Sequence, residues 1–282
     1  MNRIDALFAR LRAEGRRALM PFITAGDPDL ETTRELIVEV LARGASLVEV
    51  GIPYSDPIAD GPTIAASYHR ALTRGVNLSA IFAMLREVRA AIPADAPLVT
   101  MVSYSIVHRR GADRYLAEAA EAGVDGLIVP DLPVEESESL AAKVAALDLR
   151  LIQLVTPRTP PDRALAIART TTGFLYYVSV AGLTGERSSF PPELAVDVQA
   201  LRAKVDLPIC IGFGIGTPDA VRALAPIADG LIVGSALVRR LDGADTCDRS
   251  DVVREIGQFV ADLAAGLEPG TTAEGIRPGV GP

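Results

Sequence analysis

The sequence predicts an α/β protein built as a closed (β/α)8, or TIM, barrel, with extra short helices at the N-terminus and after the eighth strand. Three observations carry that prediction. Eight short apolar segments each precede a stretch with helical periodicity, and apolar strands alternating with helices require a parallel sheet covered on both faces. The 282 residues hold these units without any shift in composition to mark a second domain. No Gly-x-Gly-x-x-Gly follows the first strand, which argues against an open doubly wound sheet.

The elements follow in order. Residues 2–14 place Ile4, Leu7, Phe8 and Leu11 on one side of a short helix ahead of the barrel. Residues 18–23 form the first strand, the Thr24-Ala25-Gly26-Asp27-Pro28 turn follows it, and 30–42 form a helix that ends at Gly44. The second strand, 47–50, opens into a loop rich in Asp and Pro, followed by helices at 64–72 and 78–91. Strands at 98–102 and 126–129 flank a helix at 112–122 that Gly123 stops. Helix 134–146, strand 150–155 and helix 162–169 come next. The sixth strand, 174–178, leads to a loop over 179–192 and a helix at 193–204. Strand 208–211, helix 218–224 and strand 231–233 complete the eight, and helical patterns at 235–241 and 252–263 close the chain's ordered part. Residues 1–264 are therefore expected to be one barrel domain. Residues 265–282 are Gly- and Pro-rich without periodicity and are expected to fray.

Composition limits the function. Hydrophobic residues at 49% and charged residues at 23% give an ordinary globular balance. A net charge of -8 without a basic cluster argues against nucleic acid as the main partner. An acidic chain can still hold an anion through local backbone dipoles. Cys210 and Cys247 show neither metal-type spacing nor a nearby histidine cluster, so no metal site is expected and a reducing compartment fits. The Met-Asn-Arg-Ile-Asp start lacks a signal-peptide layout and no apolar run is long enough to cross a membrane, so a cytoplasmic location is expected.

The stretch 46–64 carries the most chemistry. Its strand holds one acid, Glu49, which shares a face with Leu47 and Gly51. An acid on a core-like strand is costly to bury unless it is paired or protonated, and such environments tend to be functional. The loop after it adds Asp56 and Asp60 among prolines. These two read equally well as turn formers and as partners of Glu49 in an acid/base pair with separated pKa values.

Three Gly-containing segments fall at later strand ends: Gly182-Leu183-Thr184-Gly185 after the sixth strand, Gly212-Phe213-Gly214-Ile215-Gly216 after the seventh, and Gly234-Ser235 after the eighth. Converging backbone N–H groups and a helix starting near Ser235 predict a phosphate site, where barrels of this type commonly place one. No Walker A pattern points to a nucleoside triphosphate. Tyr176 and Tyr177 are adjacent on the sixth strand, so one of them faces the barrel interior. Asp131, in Pro130-Asp131-Leu132-Pro133, is a turn acid that also lies at a strand's C-terminal end. His69 and His108 stand alone and read as surface or helix-end residues.

Together these residues resemble the α chain of tryptophan synthase from about residue 2 to residue 264. The carriers are Pro21-Phe22-Ile23-Thr24-Ala25-Gly26-Asp27-Pro28, the run from Glu49 through Gly51, Pro53, Tyr54, Asp56 and Asp60 to Pro62, Pro130-Asp131-Leu132-Pro133, Gly182-Leu183-Thr184-Gly185 and Gly212-Phe213-Gly214-Ile215. The resemblance implies a (β/α)8 barrel and a retro-aldol cleavage of indole-3-glycerol phosphate to indole and glyceraldehyde 3-phosphate. It implies that Glu49 is the general acid/base and Asp60 the partner of the indole N–H, with no metal or organic cofactor in this chain. Thr184 would close over the site, Phe22 and Phe213 would flank the ring, and Tyr176 would line the pocket. The backbone around Gly185, Gly214, Gly234 and Ser235 would hold the phosphate.

The resemblance also implies a partner, the pyridoxal-phosphate-dependent β chain, in an α2β2 heterotetramer. Pyridoxal phosphate belongs to that chain, and Pro53, Asp56 and Pro57 fall where the family contacts it. One departure stands out. After the third strand the family usually shows Tyr-Tyr-Asn-Pro, whereas this chain has Ser103-Tyr104-Ser105-Ile106. Other readings are a lyase that works without a partner, an activating subunit with slow turnover of its own, and a sugar-phosphate isomerase. The run from Glu49 to Pro62 speaks against the last.

Overall fold

The structure, a computed structural model, describes residues 1–57, 60–179, 193–212 and 214–267. Its parallel strands are β1 (Ala18–Thr24), β2 (Val48–Gly51), β3 (Leu98–Met101), β4 (Gly126–Ile128), β5 (Arg150–Ile152), β6 (Leu154–Val155), β7 (Leu175–Val178), β8 (Ile209–Gly212) and β9 (Gly230–Val233). They hydrogen-bond in the order β5-β4-β3-β2-β1-β9-β8-β7-β6. β5 and β6 are one run of chain interrupted only at Gln153. The Gln153 carbonyl still accepts from the Tyr176 N–H at 3.1 Å, and the Leu151 carbonyl accepts from the Thr172 N–H at 2.8 Å. The sheet thus closes through residues 150–155, and the barrel has the eight expected strands with the fifth split in two. The buried Gln153 side chain turns to Thr170 instead, its Nε2 donating to Oγ1 at 2.6 Å.

Strand alternation sorts the core. Met20, Leu47, Val99, Ile128, Ile152 and Phe174 pack with one another inside the barrel. Leu19, Ile23, Val48, Val50, Leu98 and Ile211 face the helices instead. The first helix, α1 (Arg3–Ala13), starts at Asn2, whose side chain accepts from the Ile4 N–H and donates to the Asp125 carbonyl at 2.9 Å. Its Ile4, Leu7, Phe8 and Leu11 join the inner cluster, with Phe8 and Phe174 centroids 5.6 Å apart. That helix plugs the end of the barrel where the strands begin. Only the other end, where the strands finish, remains open for chemistry.

The helices around the sheet follow the apolar spacing read from the sequence: α2 (Leu30–Ala42), α3 (Pro62–Thr73), α4 (Leu78–Ala91), α5 (Tyr104–Arg110), α6 (Ala112–Glu121) and α7 (Val134–Ala146). After these come α8 (Pro161–Thr170), α9 (Glu193–Arg202), α10 (Pro218–Leu224), α11 (Ser235–Arg240) and α12 (Arg249–Ala265). Bounds are sharpest where a side chain caps the first turn, as Asp29, Asn77 and Thr217 do for α2, α4 and α10. The exception is α5, which the spacing does not predict. Ser103 caps it, only Val107 is buried, and Gly111 at φ 85° separates it from α6, so it has no apolar period to read. No described helix is long and apolar enough to cross a membrane. Most of the tail expected to fray, residues 268–282, lies outside the described residues, as does the loop after β7 from 180 to 192.

One ion pair locks the open end. Asp27, 1% exposed, accepts from Arg70 of α3 through both carboxylate oxygens, at 2.9 and 2.7 Å. Arg70 also reaches Asp242, beyond α11, at 2.9 Å. The pair therefore ties the turn after β1 to the helix that follows the Asp60 loop. Arg70→Ala should cost about 3 kcal/mol in urea unfolding, because it strands a buried carboxylate. A loss below ~1 kcal/mol would show that Arg74, 4.0 Å from Asp27, takes over the pairing.

Candidate active site

The open end is organised around Glu49. It sits on β2 in register with Phe22 on β1 and Val99 on β3, faces the barrel interior, and is 2% exposed. Burial pushes its pKa up to about 8, and the field of Asp60 adds to the rise. An acid in this state holds its proton at neutral pH. Asp60 arrives from the loop after β2, where its backbone N–H donates to the Pro57 carbonyl at 3.0 Å, just before α3 begins. It is half-buried, and burial, with Asp131 acting in the same sense, pushes it up to about 6.

Two buried tyrosines complete the acid cluster. The hydroxyls of Tyr68 on α3 and Tyr176 on β7 are both pushed up by burial and then by the fields of Glu49 and Asp60. All four groups therefore share one space. Tyr176 faces inward, as one of the adjacent tyrosines has to, while Tyr177 points out and donates to Asp197 of α9 at 3.0 Å. Nothing in the sequence singles out Tyr68. It lies on a helix face like any core aromatic, and only the position of α3 over the barrel mouth brings it to the acids.

Two glycines make room for the aromatic walls. A Cβ at Gly51 would collide with the Phe22 ring and lie 2.9 Å from the Tyr68 hydroxyl, and one at Gly212 would collide with the Tyr176 hydroxyl. Phe22 is 3% exposed and packs with Ile64, Tyr68 and Val238. Gly51→Ala should therefore displace Phe22 at a cost of about 2 kcal/mol in stability, with a raised KM for a ring-bearing substrate. Thermal unfolding and steady-state kinetics would measure both effects, and wild-type values would mean the ring is free to move.

The glycine-rich strand ends lie on adjacent strands, β8 and β9, with β1 next to β9. Gly214 has φ 79°, a conformation that favours glycine. A Cβ at Gly234 would come 3.8 Å from the Phe22 Cβ, so this strand end borders the aromatic wall. Ser235 is half-buried in the first turn of α11, where backbone N–H groups have no partner within the helix. Thr184, Gly185 and Phe213 lie outside the described residues.

The remaining candidates separate clearly. Asp56 is exposed and accepts from Ser55 Oγ at 2.7 Å, Pro57 is half-buried, and Pro53 is buried. Of these three, Asp56 alone is fully offered to a partner, and Pro53 can act only through the loop's shape. Asp131 lines a cleft with Asp60, Tyr54, Tyr68, Met101 and Ser103. His69 is exposed on α3 and His108 is exposed beside Tyr104, 6.2 Å between ring centroids. Cys210 is buried inside the barrel and Cys247 is exposed. A roomier hollow of about 370 Å³ opens beyond β4 and β6, with Arg158 and Arg163 on its rim, but it holds none of the acids. Among the described residues no group of three or more His, Cys, Asp or Glu could hold a metal ion.

Carboxylates with separated proton affinities, walled by aromatic rings at the mouth of a (β/α)8 barrel, define an enzyme of acid–base chemistry on an aromatic substrate. Comparison with known proteins narrows this class. The family model described as "Tryptophan synthase alpha chain" matches residues 8–266. The chain is 51% identical over 245 residues to the tryptophan synthase alpha chain of Rhodopirellula baltica, covering 86% of this chain and 88% of that one. It is 44% identical to the one from Geotalea uraniireducens, covering 95% and 98%. A crystal structure of tryptophan synthase subunit alpha from Legionella pneumophila superposes with a TM-score of 0.86 at 33% identity, covering 95% and 98%. The chain belongs to the tryptophan synthase alpha chain family, and with membership comes its reaction class, a carbon–carbon lyase of tryptophan biosynthesis.

Proposed function

We propose that Glu49 and Asp60 divide the proton work of a retro-aldol cleavage of indole-3-glycerol phosphate. The observation that carries this assignment is Glu49 buried on the inner face of β2, with Asp60 half-buried on the loop that follows. Burial raises the proton affinity of both acids, of Glu49 more than of Asp60. Glu49 gives its proton to indole C3, which turns the ring into an indolenine with positive charge at nitrogen. Asp60, mostly ionised near neutral pH, accepts the ring N–H and balances that charge. The Glu49 carboxylate left in an apolar space is then a strong base. It takes the proton of the side-chain hydroxyl next to C3, the electrons of that O–H bond form the aldehyde, and the C–C bond breaks back into the ring to release indole. Protons and electrons balance without a metal or cofactor in this chain.

Phe22 and Tyr176 would wall the ring, with Phe213 and Thr184 contributing from positions outside the described residues. Gly185, Gly214, Gly234 and Ser235 would hold the phosphate through backbone N–H groups, and that remote binding would orient the reacting bond. The partner is a β chain carrying pyridoxal phosphate in an α2β2 assembly, approached through the loop that bears Asp56 and Pro57. A spectroscopic assay for indole from indole-3-glycerol phosphate, with and without a β chain, tests the whole reading. Indole release that rises when the β chain is added is expected. No indole under either condition would overturn it, and full release without change on adding the β chain would remove the partner.

A further inference from the structure

We propose that Asp131 is a positioning residue for this reaction, acting on the substrate only through Asp60. The inference rests on the assignment of Asp60 above. Asp131 follows β4, on the wall of the cleft opposite the Asp60 loop, and both acids line that cleft. Two donors hold its carboxylate in place: Ser103 Oγ at 2.7 Å to one oxygen and the Tyr104 N–H at 2.7 Å to the other. Ser105 Oγ lies 2.8 Å from Ser103 Oγ and steadies the first of these. The anchoring therefore uses Ser103, Tyr104 and Ser105, where the chain leaves β3 and enters α5.

Among the described residues Asp60 has no comparable tether. No side-chain hydrogen bond or ion pair to its carboxylate is formed among the described residues, and the described ionisable groups around it are acids and tyrosines. Glu49 faces it from β2, Tyr68 from α3 and Tyr176 from β7, with Tyr54 and Asp56 on its own loop and Asp131 across the cleft. No arginine, lysine or histidine among the described residues lines the cleft, and the nearest arginine of α3, Arg70, is engaged by Asp27 and Asp242. A fixed negative group in that position makes the Asp60 carboxylate a stronger proton acceptor. A stronger acceptor binds the positively charged indolenine N–H more tightly than the neutral ring of the substrate, which lowers the barrier rather than KM.

The test is the pH dependence of kcat/KM for indole formation in the α–β complex, for wild type, D131N, D131E and D60N. In D131N the acid limb should move to lower pH by about half a unit, a threefold change in proton affinity, and kcat should fall several-fold with KM little changed. D131E should restore the limb, and added salt should shrink the difference, since Asp131 is exposed. A merely structural role would lower activity at every pH and leave the limb where it is. If D131N fails to fold, D131S provides a second neutral replacement, and a 13C titration of the Asp60 carboxyl reads the same shift directly. An unmoved limb in the neutral variants, with D60N inactive, overturns the role of Asp131 alone. Full turnover in D60N overturns the Asp60 assignment, and this inference falls with it.

Discussion

Replacing Glu49 with Gln should abolish indole formation, a loss of about 10²–10⁴-fold in kcat at minimum, while phosphate-ligand binding stays nearly unchanged. The amide fills the same space on β2 but has no proton to give to C3 and cannot take one from the hydroxyl. Both halves of the reaction stop at once. The proposed phosphate site uses backbone groups at the ends of β8 and β9, which β1 separates from β2, so phosphate binding should survive. Wild-type turnover in this variant would remove Glu49 from the mechanism.

The same variant should be more stable than wild type at alkaline pH. The folded-state pKa of Glu49 is raised to about 8 from a reference of 4.5. Below pH 4.5 the group is protonated in both folded and unfolded chains, and its contribution to stability is fully present. Between 4.5 and 8 the unfolded chain sheds the proton while the folded one keeps it, so stability falls as pH rises. Gln has no such loss. The two proteins should unfold alike at about pH 4 and differ by at least ~2 kcal/mol at about pH 8 in favour of Gln. Equal stability at both pH values would mean that Glu49 is better solvated than its position implies. The acid proposed to drive the chemistry would thus weaken the fold as pH rises, a cost expected of a functional group and not of a structural one.

Much of this is legible in the sequence because it depends on spacing along the chain. Apolar runs, the glycines that stop helices and the shared face of Leu47, Glu49 and Gly51 are local facts, and the barrel follows from the repeated alternation of strand and helix. Tyr176 can be assigned to the interior only as one of an adjacent pair, since register across strands decides between it and Tyr177. Tyr68 and the anchoring of Asp131 are illegible for a different reason. Both depend on which loops meet above the barrel, a distance in space with no counterpart in sequence separation. The short helix α5 escapes because a single buried residue, Val107, sets no period. Pro53 shows the opposite limit: the resemblance implies a partner contact there, yet its side chain is buried.

Asp60→Asn should cut kcat by about 10²–10³-fold, with KM little changed and the fold intact. The amide can still accept the ring N–H through its carbonyl, so ground-state binding of the neutral indole ring is largely kept. What disappears is a negative charge facing the positive nitrogen of the indolenine, and in a space enclosed by Phe22, Tyr68 and Tyr176 that charge is poorly replaced by water. The pH profile should show the change more clearly than the rate does. In wild type the acid pair gives a bell with limbs near 6 and 8, values that belong to the coupled pair as much as to either acid. The D60N variant has no group to titrate on the acid side, so the lower limb should flatten. The upper limb should remain and move to lower pH, because Glu49 loses the neighbour that helped raise it. A rate within a few-fold of wild type, or a lower limb that persists, would count against Asp60 and direct attention to Asp131 as the acceptor.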